Sequence, residues 1–524
     1  MSEAAFGTAA MGQRSALNDL CARRMQGHNL IIASNRGPIE FYMEGGAIRQ
    51  RRGQGGLVTA VTSMVEVTPA TWVASTMSHL DLQVARAQGG RVTIDGHEHP
   101  LTVAFVEPTA HQYAQYYDQV ANSVLWFLQH HITNPPIHPT FDQALWEAWH
   151  HGYVAVNRLF ADKLADEAAQ SDKPPIFMIH DYHLYLVPGM LRERFPDALI
   201  QHFTHISWPS PDAWRQLPNA IREAILTHLL GCDVVGFHCA RYAFNFLLCC
   251  QELLGKVINW EAGTVEHEGR TVRINDYPIS IDPDSLRDFA ESPAVQRVEE
   301  ALMRGRPPKM ILQVARTDPS KNILRSFYAY EQFLVDHPEM HGQVQFLALL
   351  PSSRQTTELY KEYLEELMQV ITRINEEYGG PDWMPIELHL ENDYARGIAA
   401  MKHYDVLVVN SIADGMNLVA KEGPIVNTND GMLVISESAG AVEELGETSL
   451  VINPFDLMGM AAAFHQALTM DRSERAEALT ATQAAIRRNT IFRWAHDQLV
   501  DLLPEEGRPG AITMMPPSQS EVSP

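Results

Sequence analysis

The amino-acid sequence predicts an α/β protein built from two doubly wound, Rossmann-like domains that face a cleft. Three observations favour this fold class. The chain has 524 residues, 45% of them hydrophobic, which is more than one ordinary hydrophobic core accommodates. Strand-like apolar runs alternate with helical patterns along most of its length, as in parallel sheets made of βαβ units. A charged, proline-bounded segment without a strand pattern separates the two halves.

Ten short apolar runs predict the strands of these sheets. In the first half they are NLIIASN, ATWVAST, PIFMIHD, LIQHFTHI and DVVGFH; in the second half they are MILQVAR, QVQFLALLP, IELHLE, YDVLVVN and MLVISE. Between two of the later runs, the segment TELYKEYLEELMQVITRI places Tyr360, Leu364, Leu367, Ile371 and Ile374 at steps of four and three residues. This spacing predicts a helix with one apolar face that packs on a sheet.

The domain organisation follows from the same patterns. We expect a flexible N-terminal extension with one short helix (1–28), a first Rossmann-like domain (29–282), a linker (283–308), a second Rossmann-like domain (309–480), a C-terminal helix that crosses back to the first domain (481–503) and a disordered tail (504–524) rich in Pro, Ser and Glu.

Composition limits the partners and the compartment. With 64 acidic and 40 basic residues, a formal net charge of −24, the chain is a poor match for nucleic acid or an anionic membrane. Its five cysteines show no paired CxxC spacing, and neither a signal peptide nor a membrane span is visible. We therefore expect a cytoplasmic protein with reduced thiols. The sequence is compatible with a homo-oligomer.

Polar residues collect where the predicted strands end. The set comprises Asn35, Arg36, His180, Asp181, His183, His205, Arg316, Lys321, Arg354, Asp414 and Asn417. Any one of them could be a hydrogen-bonded core residue or a solvated surface residue. Open α/β sheets, however, bind ligands beyond the carboxyl ends of their strands, so six such strand ends together indicate a binding site.

Two segments add backbone donors to these side chains. Gly53, Gly55 and Gly56 precede a helical pattern, where peptide N–H groups can approach an anion, although such glycines also form plain turns. In ADGMNLVAKE, Asp414 and Gly415 predict a turn, the amides from Met416 to Val419 are expected to open a helix, and Glu422 follows about two turns later. A capped helix with a surface glutamate has the same pattern.

Metal chemistry is not expected. The chain has 23 histidines, but His180 and His183 do not share a helix face, and neither an HExxH sequence nor a Cys/His framework is present. We therefore predict no metal and no cofactor.

Long stretches of the chain resemble the trehalose-6-phosphate synthase family. They are SNRGPIEF, GGLVTAV, YYDQVANSVLW, IHDYHLYLVPGMLRERFPDALIQHFTHISWPSPDAWRQLP, VARTDPSKN and DGMNLVAKE, in the family's order and at similar spacing, from about Asn29 to Val500. The resemblance implies a retaining glycosyltransferase of the two-Rossmann-domain (GT-B) type. Its expected reaction moves glucose from a nucleotide diphosphate glucose to glucose 6-phosphate and gives trehalose 6-phosphate.

The resemblance also implies roles for single residues. On the donor side, Arg316 and Lys321 match the cationic residues that bind the diphosphate, and Glu422 matches a residue that contacts the ribose. The residues that match those binding the donor glucose and phosphate are Asp414, Gly415, Met416, Asn417, Leu418 and Val419. Gly55 and Gly56 belong to the glycine loop expected on the donor side. His205 matches a residue beside the reacting carbon. On the acceptor side, Arg36, Tyr117, Trp126 and Arg354 match residues that hold glucose 6-phosphate, and Asp181 matches an acidic residue beside its sugar. Asp181 is not expected to be a nucleophile, because family members are thought to attack from the face of the leaving group.

Two departures from the family pattern keep other acceptors open. The chain has HISWP, with Ser207 and Trp208, where many members have HIPFP, and TWVAST, with Ala74 and Ser75, lacks an acceptor-side tryptophan. The motifs WPSPDAWRQLP and RTDPSKN resemble those of the validoxylamine-phosphate synthase branch. The alternatives are the same fold with glycerol 3-phosphate or an amino-cyclitol phosphate as acceptor, and a sugar-phosphate sensor without catalysis.

Overall fold

The computed structural model describes residues 3–53, 56–66, 68–94, 101–353 and 358–503 of the chain. Internal contacts divide the protein into two units, which are described in turn. The N-terminal unit comprises Gly12–Ile279 and the chain from Ile491 onward, and the C-terminal unit comprises Ser280–Thr490 and the residues before Gly12. Within the described ranges, no helix is both long enough and apolar enough to cross a membrane.

The N-terminal unit is built on a ten-stranded sheet and a separate hairpin. Its strands are β1 (Asn29–Ala33), β2 (Ile39–Glu44), β3 (Ala47–Arg52), β4 (Ala70–Ser75), β5 (Arg91–Ile94), β6 (Leu101–Val106), β7 (Pro175–His180), β8 (Leu199–Phe203), β9 (Val234–Phe237), β10 (Ile258–Asn259), β11 (Thr264–His267) and β12 (Arg270–Asp276). The sheet order is β10-β11-β12-β9-β8-β7-β1-β4-β6-β5, and β2 pairs with β3 in the hairpin. The strands from β12 to β6 run parallel, while β5, β10 and β11 pair antiparallel at the edges.

Helices cover both faces of this sheet. They are Gly56–Val65, His79–Ala87, Ala110–Tyr113, Trp126–Gln129, Gln143–Glu147, Ala155–Ala168, Val187–Arg194, Pro211–Trp214, Asn219–Leu229, Ala240–Leu254 and Ile491–Leu502, with π-helical stretches at Cys21–Met25, Ala114–Leu125 and Ala148–Val154 and a 3₁₀ turn at Tyr182–Leu184. The helix Glu3–Leu20 is shared between the units. Five successive residues of β7 are buried. Because neighbouring side chains on a strand point to opposite faces, both faces must be covered.

The C-terminal unit is built on a six-stranded parallel sheet. Its strands are β13 (Lys309–Val314), β14 (Val344–Leu349), β15 (Ile386–His389), β16 (Val406–Val409), β17 (Met432–Ser436) and β18 (Leu450–Ile452), in the order β15-β14-β13-β16-β17-β18. Its helices are Pro283–Ala290, Pro293–Leu302, Ile323–Asp336, Glu358–Tyr378, Tyr394–Met401, Val419–Val426, Val442–Leu445, Leu457–Thr469 and Arg472–Arg488, with 3₁₀ turns at Pro319–Lys321, Pro338–Met340 and Gly446–Thr448. All six residues of β14 are buried, so this sheet is also covered on both faces.

Each sheet has one point at which the strand order reverses. In the N-terminal unit the chain proceeds from β1 through β4 to β6 on one side, and from β7 through β8 to β9 on the other. In the C-terminal unit β13 lies between β14 and β16. The chain continues outward to β15 on the side of β14, and to β17 and β18 on the side of β16. The loops that follow β1 and β7 diverge, as do those that follow β13 and β16. Such switch points are where doubly wound proteins bind their ligands.

The predicted α/β fold class and all ten predicted strands are confirmed. The helix Glu358–Tyr378 buries Tyr360, Leu367, Ile371 and Ile374, with Leu364 half-buried. The hairpin β2–β3 was not predicted. Its turn is Gly45-Gly46, and both glycines have positive φ (57° and 79°), which is the backbone that such two-residue turns require.

Several segments expected outside the two domains are ordered parts of the units. A helix begins at Glu3, within the predicted extension, and the predicted linker 283–308 contains two helices. Glu299 in the second of these accepts hydrogen bonds from Lys402 (2.9 Å) and His403 (2.5 Å). The helix Ile491–Leu502 belongs to the N-terminal unit, where the Asp501 carboxylate accepts from Arg273 (2.8 Å). The predicted disordered tail 504–524 lies outside the described residues.

Candidate active site

At the switch point of the N-terminal unit, Arg36 follows β1 and Asp181 follows β7. The Arg36 side chain is 43% exposed, and its guanidinium lies 3.4 Å from the Glu40 carboxylate. The same carboxylate accepts from Arg51 of β3 at 3.0 Å, so the hairpin supports Arg36 from one side. A cation at this position is both held and accessible.

Three aromatic rings form a stack that joins the two strand ends. Tyr117 lies between Tyr113, with centroids 5.2 Å apart and planes 14° apart, and His183, at 5.6 Å and 11°. The Tyr113 hydroxyl accepts a hydrogen bond from Asn35 at 3.2 Å, beside Arg36. Tyr113 and Tyr117 are four residues apart across the start of the π-helical stretch, which aligns their rings. The stack thus links Tyr117 to Asn35, which precedes Arg36, and to His183, two residues after Asp181.

Asp181 has an unusual backbone conformation that the neighbouring strands hold in place. Its φ is 75°, a region that residues other than glycine rarely occupy. Its N–H donates to the Phe203 carbonyl (2.8 Å), its carbonyl accepts from His202 Nε2 (3.2 Å), and its carboxylate accepts from the His205 N–H (3.3 Å). Such conformations persist only where the surroundings fix them, and they cluster at active sites.

His205 belongs to a group of buried histidines. Its Nε2 lies 3.1 Å from Nδ1 of His180, so one ring donates and the other accepts, and His238 lies edge-on at 5.1 Å between centroids. Burial lowers the pKa of His180 and of His202 to about 3. Burial, reinforced by repulsion from His238, His180 and His202, lowers the pKa of His205 well below its ordinary value. His205 is therefore a neutral hydrogen-bonding group near neutral pH.

The tryptophan predicted to hold the acceptor, Trp126, and the tryptophan of the HISWP motif, Trp208, both lie below the surface. Trp126 is 5% exposed and stacks on His130 at 3.8 Å between centroids. Trp208 is fully buried, 4.4 Å from Trp214 and 5.0 Å from Phe246. The departure HISWP therefore replaces a core side chain.

At the switch point of the C-terminal unit, two cations follow β13 as predicted. Arg316 is 47% exposed and lies 3.9 Å from the Asp318 carboxylate. Asp318 is fully buried and caps the turn Pro319–Lys321 by accepting from the Ser320 N–H (3.0 Å). Its carboxylate also accepts from the Tyr360 hydroxyl (3.0 Å). This capped turn carries Lys321 towards the loop that follows β16.

The Asp414 carboxylate, in that loop, gathers three donors on one oxygen. Oδ2 accepts from Lys321 Nζ, from Ser411 Oγ (2.9 Å) and from Asn417 Nδ2 (3.0 Å). The Lys321 and Asp414 side chains are only 14% and 13% exposed. A charged pair with so little solvent contact has a well-defined geometry and a strong local field.

The segment Gly415–Leu418 is a loop, and the helix starts later than the sequence pattern predicts. Asn417 has φ 79°, which excludes it from a helix, and its side-chain oxygen accepts from the Ala420 N–H at 3.4 Å. The helix Val419–Val426 therefore begins at Val419 and places Glu422 in its first turn. Burial raises the pKa of Glu422 to about 7, and its carboxylate accepts from the Tyr394 hydroxyl at 3.5 Å.

Not all predicted site residues are described. Gly55 and Arg354 lie outside the described residues. Gly56 opens the helix Gly56–Val65, and Gly53 is buried with its N–H donating to the Pro38 carbonyl at 2.7 Å. Sequence reasoning missed Tyr113 and Ser411. The spacing of four residues between Tyr113 and Tyr117 was a usable signal, whereas nothing in the sequence distinguishes Ser411.

A separate trio of metal-ligand type lies in the C-terminal unit, at His337, Glu339 and His465. The two imidazole rings are stacked, with centroids 3.7 Å apart and planes 7° apart. An imidazole binds a metal in the plane of its ring, so two parallel stacked rings do not converge on one ion. Within the described chain, this geometry makes the trio a stacked surface pair hydrogen-bonded to Glu339 (3.2 Å).

Two doubly wound units, each with charged side chains at its switch point, have the architecture of GT-B glycosyltransferases, and solved structures of that type match the chain. The chain belongs to glycosyltransferase family 20, whose family model matches residues 28–503. The predicted family resemblance is thereby confirmed.

Curated relatives match over nearly the whole chain. Alpha,alpha-trehalose-phosphate synthase [UDP-forming] 2 of Aspergillus niger is 33% identical over 487 residues, 91% of this chain and 97% of that protein. Validamine 7-phosphate valienyltransferase of Streptomyces hygroscopicus subsp. jinggangensis is 30% identical over 479 residues, 91% and 94% of the two chains.

Solved structures match to the same extent. Trehalose-6-phosphate synthase structures include the E. coli protein bound with UDP-2-fluoro glucose, with a TM-score of 0.78 at 27% identity over 91% of this chain and 99% of that one. The Burkholderia xenovorans UDP-forming enzyme in complex with glucose-6-phosphate has a TM-score of 0.76 at 27% identity over 90% and 99%.

Proposed function

We propose that this protein is a UDP-forming trehalose-6-phosphate synthase, a retaining transferase that moves glucose from UDP-glucose to glucose 6-phosphate. One observation carries the proposal: in a family 20 chain, Lys321, Asp414 and Asn417 converge beside a helix N-terminus at the switch point of the C-terminal unit. The uridine base is proposed because relatives such as the Aspergillus niger protein are named UDP-forming.

The C-terminal unit supplies the donor subsite. Arg316 and Lys321 would neutralise the diphosphate, and peptide N–H groups of Gly415–Val419 would donate to its oxygens, since the N-terminus of a helix favours negative charge. Asp414 and Asn417 would bind glucose hydroxyls. Glu422, in the first turn of the helix, would accept from the ribose diol.

These groups lower the barrier where charge develops. The bond between glucose C1 and the phosphate oxygen breaks, and its electron pair goes to the departing UDP. Fixed cations and amides stabilise that charge without having to reorganise, and removing one such group typically costs about 10²-fold or more in rate.

The new bond forms on the same face of the sugar. The C1 hydroxyl oxygen of glucose 6-phosphate joins donor C1, and its proton goes to the departing phosphate oxygen. The products are trehalose 6-phosphate and UDP. Since retention follows from attack on the leaving-group side, the step needs no carboxylate nucleophile, and Asp181 is left to bind a hydroxyl.

The N-terminal unit supplies the acceptor subsite. Arg36 and the Tyr117 hydroxyl would hold the phosphate of glucose 6-phosphate, with the stack on His183 fixing the Tyr117 ring. Trp126 would support this wall from below, because it is 5% exposed. A role for Arg354 on the same phosphate and for Gly55 and Gly56 on the donor stays a prediction.

His205 would act as a neutral partner of the donor sugar. Its Nε2 is engaged with His180, so its other ring nitrogen, Nδ1, would bind a sugar hydroxyl. A neutral ring also avoids placing a cation beside the carbon that becomes positive in the transition state.

The test combines donor, acceptor and product. Purified protein is incubated with glucose 6-phosphate and, separately, UDP-, GDP- and ADP-glucose, while nucleoside diphosphate release and product mass are measured. UDP release with a product of the mass of trehalose 6-phosphate is the expected result. No turnover with any of the three donors contradicts the proposal and favours a sensor without catalysis.

The acceptor is tested in the same assay. Glycerol 3-phosphate and an amino-cyclitol phosphate are offered in place of glucose 6-phosphate, because one relative is a valienyltransferase. Turnover only with one of these would assign the chain another acceptor. The buried position of Trp208 removes one reason to expect that outcome. The cytoplasmic location and a homo-oligomer stay predictions.

A further inference from the structure

The segment Ala439–Leu445 runs alongside the loop proposed to grip the donor. Asp414 and Ala439 form a parallel β-bridge, the Gly440 N–H donates to the Asp414 carbonyl (3.1 Å), and the Ala441 N–H donates to the Met416 carbonyl (2.9 Å). The peptide between Asp414 and Gly415 and the peptide between Met416 and Asn417 are therefore held by hydrogen bonds from a distant part of the chain. A loop with two such cross-links has little freedom to rotate its N–H groups.

Gly440 allows this close approach. A Cβ atom at position 440 would overlap the Gly415 carbonyl oxygen and would lie 3.1 Å from the Met416 Cα. The obstacle is backbone, which cannot turn aside as the tip of a side chain can. Any side chain at Gly440 must therefore push the peptide between Gly415 and Met416 away from its position.

A buried ion pair ties the same segment to the donor helix. Lys421 is fully buried, and its ammonium hydrogen-bonds the Glu444 carboxylate, which also accepts from Asn489 Nδ2 at 2.7 Å. Lys421 immediately precedes Glu422. The pair thereby sets the rotation of the helix Val419–Val426 about its axis, and with it the direction of the Glu422 carboxylate.

Stability alone is a poor explanation for this pair. Taking a lysine and a carboxylate out of water costs much of what their attraction returns, and well-packed apolar side chains often stabilise a fold as much. What the pair adds is a fixed geometry between two elements, because a charge-assisted hydrogen bond has a defined length and direction.

We propose that Ala439–Leu445 is a positioning brace for the donor subsite. Gly440 sets the Gly415 and Met416 peptides, and the Lys421–Glu444 pair orients the helix that carries Glu422. In this proposal the brace acts through the Gly415–Met416 loop and Glu422, not through a contact of its own with the substrate. The proposal rests on the proposed function, since the ligand that benefits is the nucleotide sugar.

The test measures donor binding apart from catalysis and stability. Gly440→Ala and Glu444→Gln are compared with the wild type by calorimetric titration of UDP-glucose, by steady-state KM and kcat for both substrates, and by Tm. We expect the donor Kd to rise about tenfold, comparable to losing one hydrogen bond to a charged group, with the KM for glucose 6-phosphate unchanged.

Two matched controls lie in the same unit. Gly380→Ala adds a Cβ with no atom within 4 Å, and Glu299→Gln weakens a second, largely buried ion pair, with Lys402. Both should leave the donor Kd unchanged, although Glu299→Gln should lower Tm. The double variant Lys421→Met/Glu444→Leu removes both charges and keeps apolar packing, so it stays informative if Glu444→Gln does not fold. It should retain Tm and still weaken donor binding.

The outcomes separate the two proposals. If the wild type binds UDP-glucose and the Gly440 and Glu444 variants bind it equally well, the brace is wrong and the proposed function stands. If the wild type binds no nucleotide sugar, the proposed function fails and the brace fails with it. Weakened donor binding in both variants, with both controls normal, supports the brace.

Discussion

The ammonium of Lys321 hydrogen-bonds the carboxylate of Asp414, and the two residues follow the two strands that flank the switch point of the C-terminal sheet. Ser411 and Asn417 donate to the same carboxylate oxygen. Each charged group thus orients the other. A diphosphate beside Lys321 and a sugar beside Asp414 would meet groups whose positions are already set, which is how electrostatic preorganisation lowers a barrier.

Replacing the cation should affect turnover far more than folding. Lys321→Ala removes the ammonium but leaves Asp414 two hydrogen bonds, from Ser411 and Asn417. We expect kcat/KM for UDP-glucose to fall about 10²-fold or more. Initial rates at varied UDP-glucose measure this effect, with Lys361→Ala, an exposed lysine of the same unit, as control. Near-normal turnover by Lys321→Ala would refute its role on the diphosphate.

The hydroxyl of Tyr117 should matter for the acceptor alone. Tyr117→Phe keeps the ring between Tyr113 and His183 but removes the group proposed to bind phosphate. Because a hydrogen bond to a charged group contributes about 1.5–3 kcal/mol, the KM for glucose 6-phosphate should rise about tenfold or more. The KM for UDP-glucose should not change. Tyr378→Phe, the same substitution at the end of the helix Glu358–Tyr378, should have neither effect; an equal response of both substrates to Tyr117→Phe would contradict the assignment.

The sequence predicted the elements better than their arrangement. Continuous apolar runs identified ten strands, because buried parallel strands are apolar on both faces. Lys321 and Asp414 were both proposed from their strand ends. Their contact could not be, because it depends on β13 pairing with β16, which are separated by about ninety residues in the chain and by two intervening strands.

Backbone detail was also beyond the sequence pattern. The late helix start at Val419 follows from the positive φ of Asn417. The link between the ends of β1 and β7 depends on the stack of Tyr113, Tyr117 and His183. Asparagine tolerates the left-handed region, but its side-chain hydrogen bond to Asp414 selects it here. At Trp208 the sequence pattern pointed to the site, because HISWP departs from the family in a motif of the predicted site. The structure places this side chain in the core instead.

The buried histidines should make the N-terminal unit sensitive to acid. Their pKa values are lower in the fold than the ordinary 6.5, about 3 for His180 and His202, so the unfolded chain binds more protons below pH 6.5. Above pH 6.5 these histidines are neutral in both states, so the free energy of unfolding does not depend on them. As the pH falls from 6.5 towards 3, the free energy of unfolding decreases by about 1.4 kcal/mol per pH unit for each histidine.

A single substitution isolates this effect. His202→Gln can still donate to the Asp181 carbonyl but cannot become charged, so Tm should fall less steeply with decreasing pH than in the wild type. His151→Gln, on an exposed side chain, should follow the wild-type curve. Parallel curves for wild type and His202→Gln would exclude His202 as a source of the acid sensitivity.

Donor affinity should depend on the ionisation of Glu422. Burial raises its pKa to about 7, and the hydrogen bond from Tyr394 opposes that shift. Only the ionised carboxylate is a full acceptor for two ribose hydroxyls, so the affinity for UDP-glucose should rise as the pH increases through about 7 and then level off. The diphosphate diester of the ligand has no proton that titrates near neutrality, so the change belongs to the protein.

Calorimetric titration of UDP-glucose across this range should show the rise in wild type, a flat profile for Glu422→Gln, and the wild-type profile for Glu362→Gln on the exposed side of the helix Glu358–Tyr378. Tyr394→Phe removes a hydrogen bond that favours the ionised form and should move the midpoint to higher pH. A pH rise that persists in Glu422→Gln would place the titrating group elsewhere.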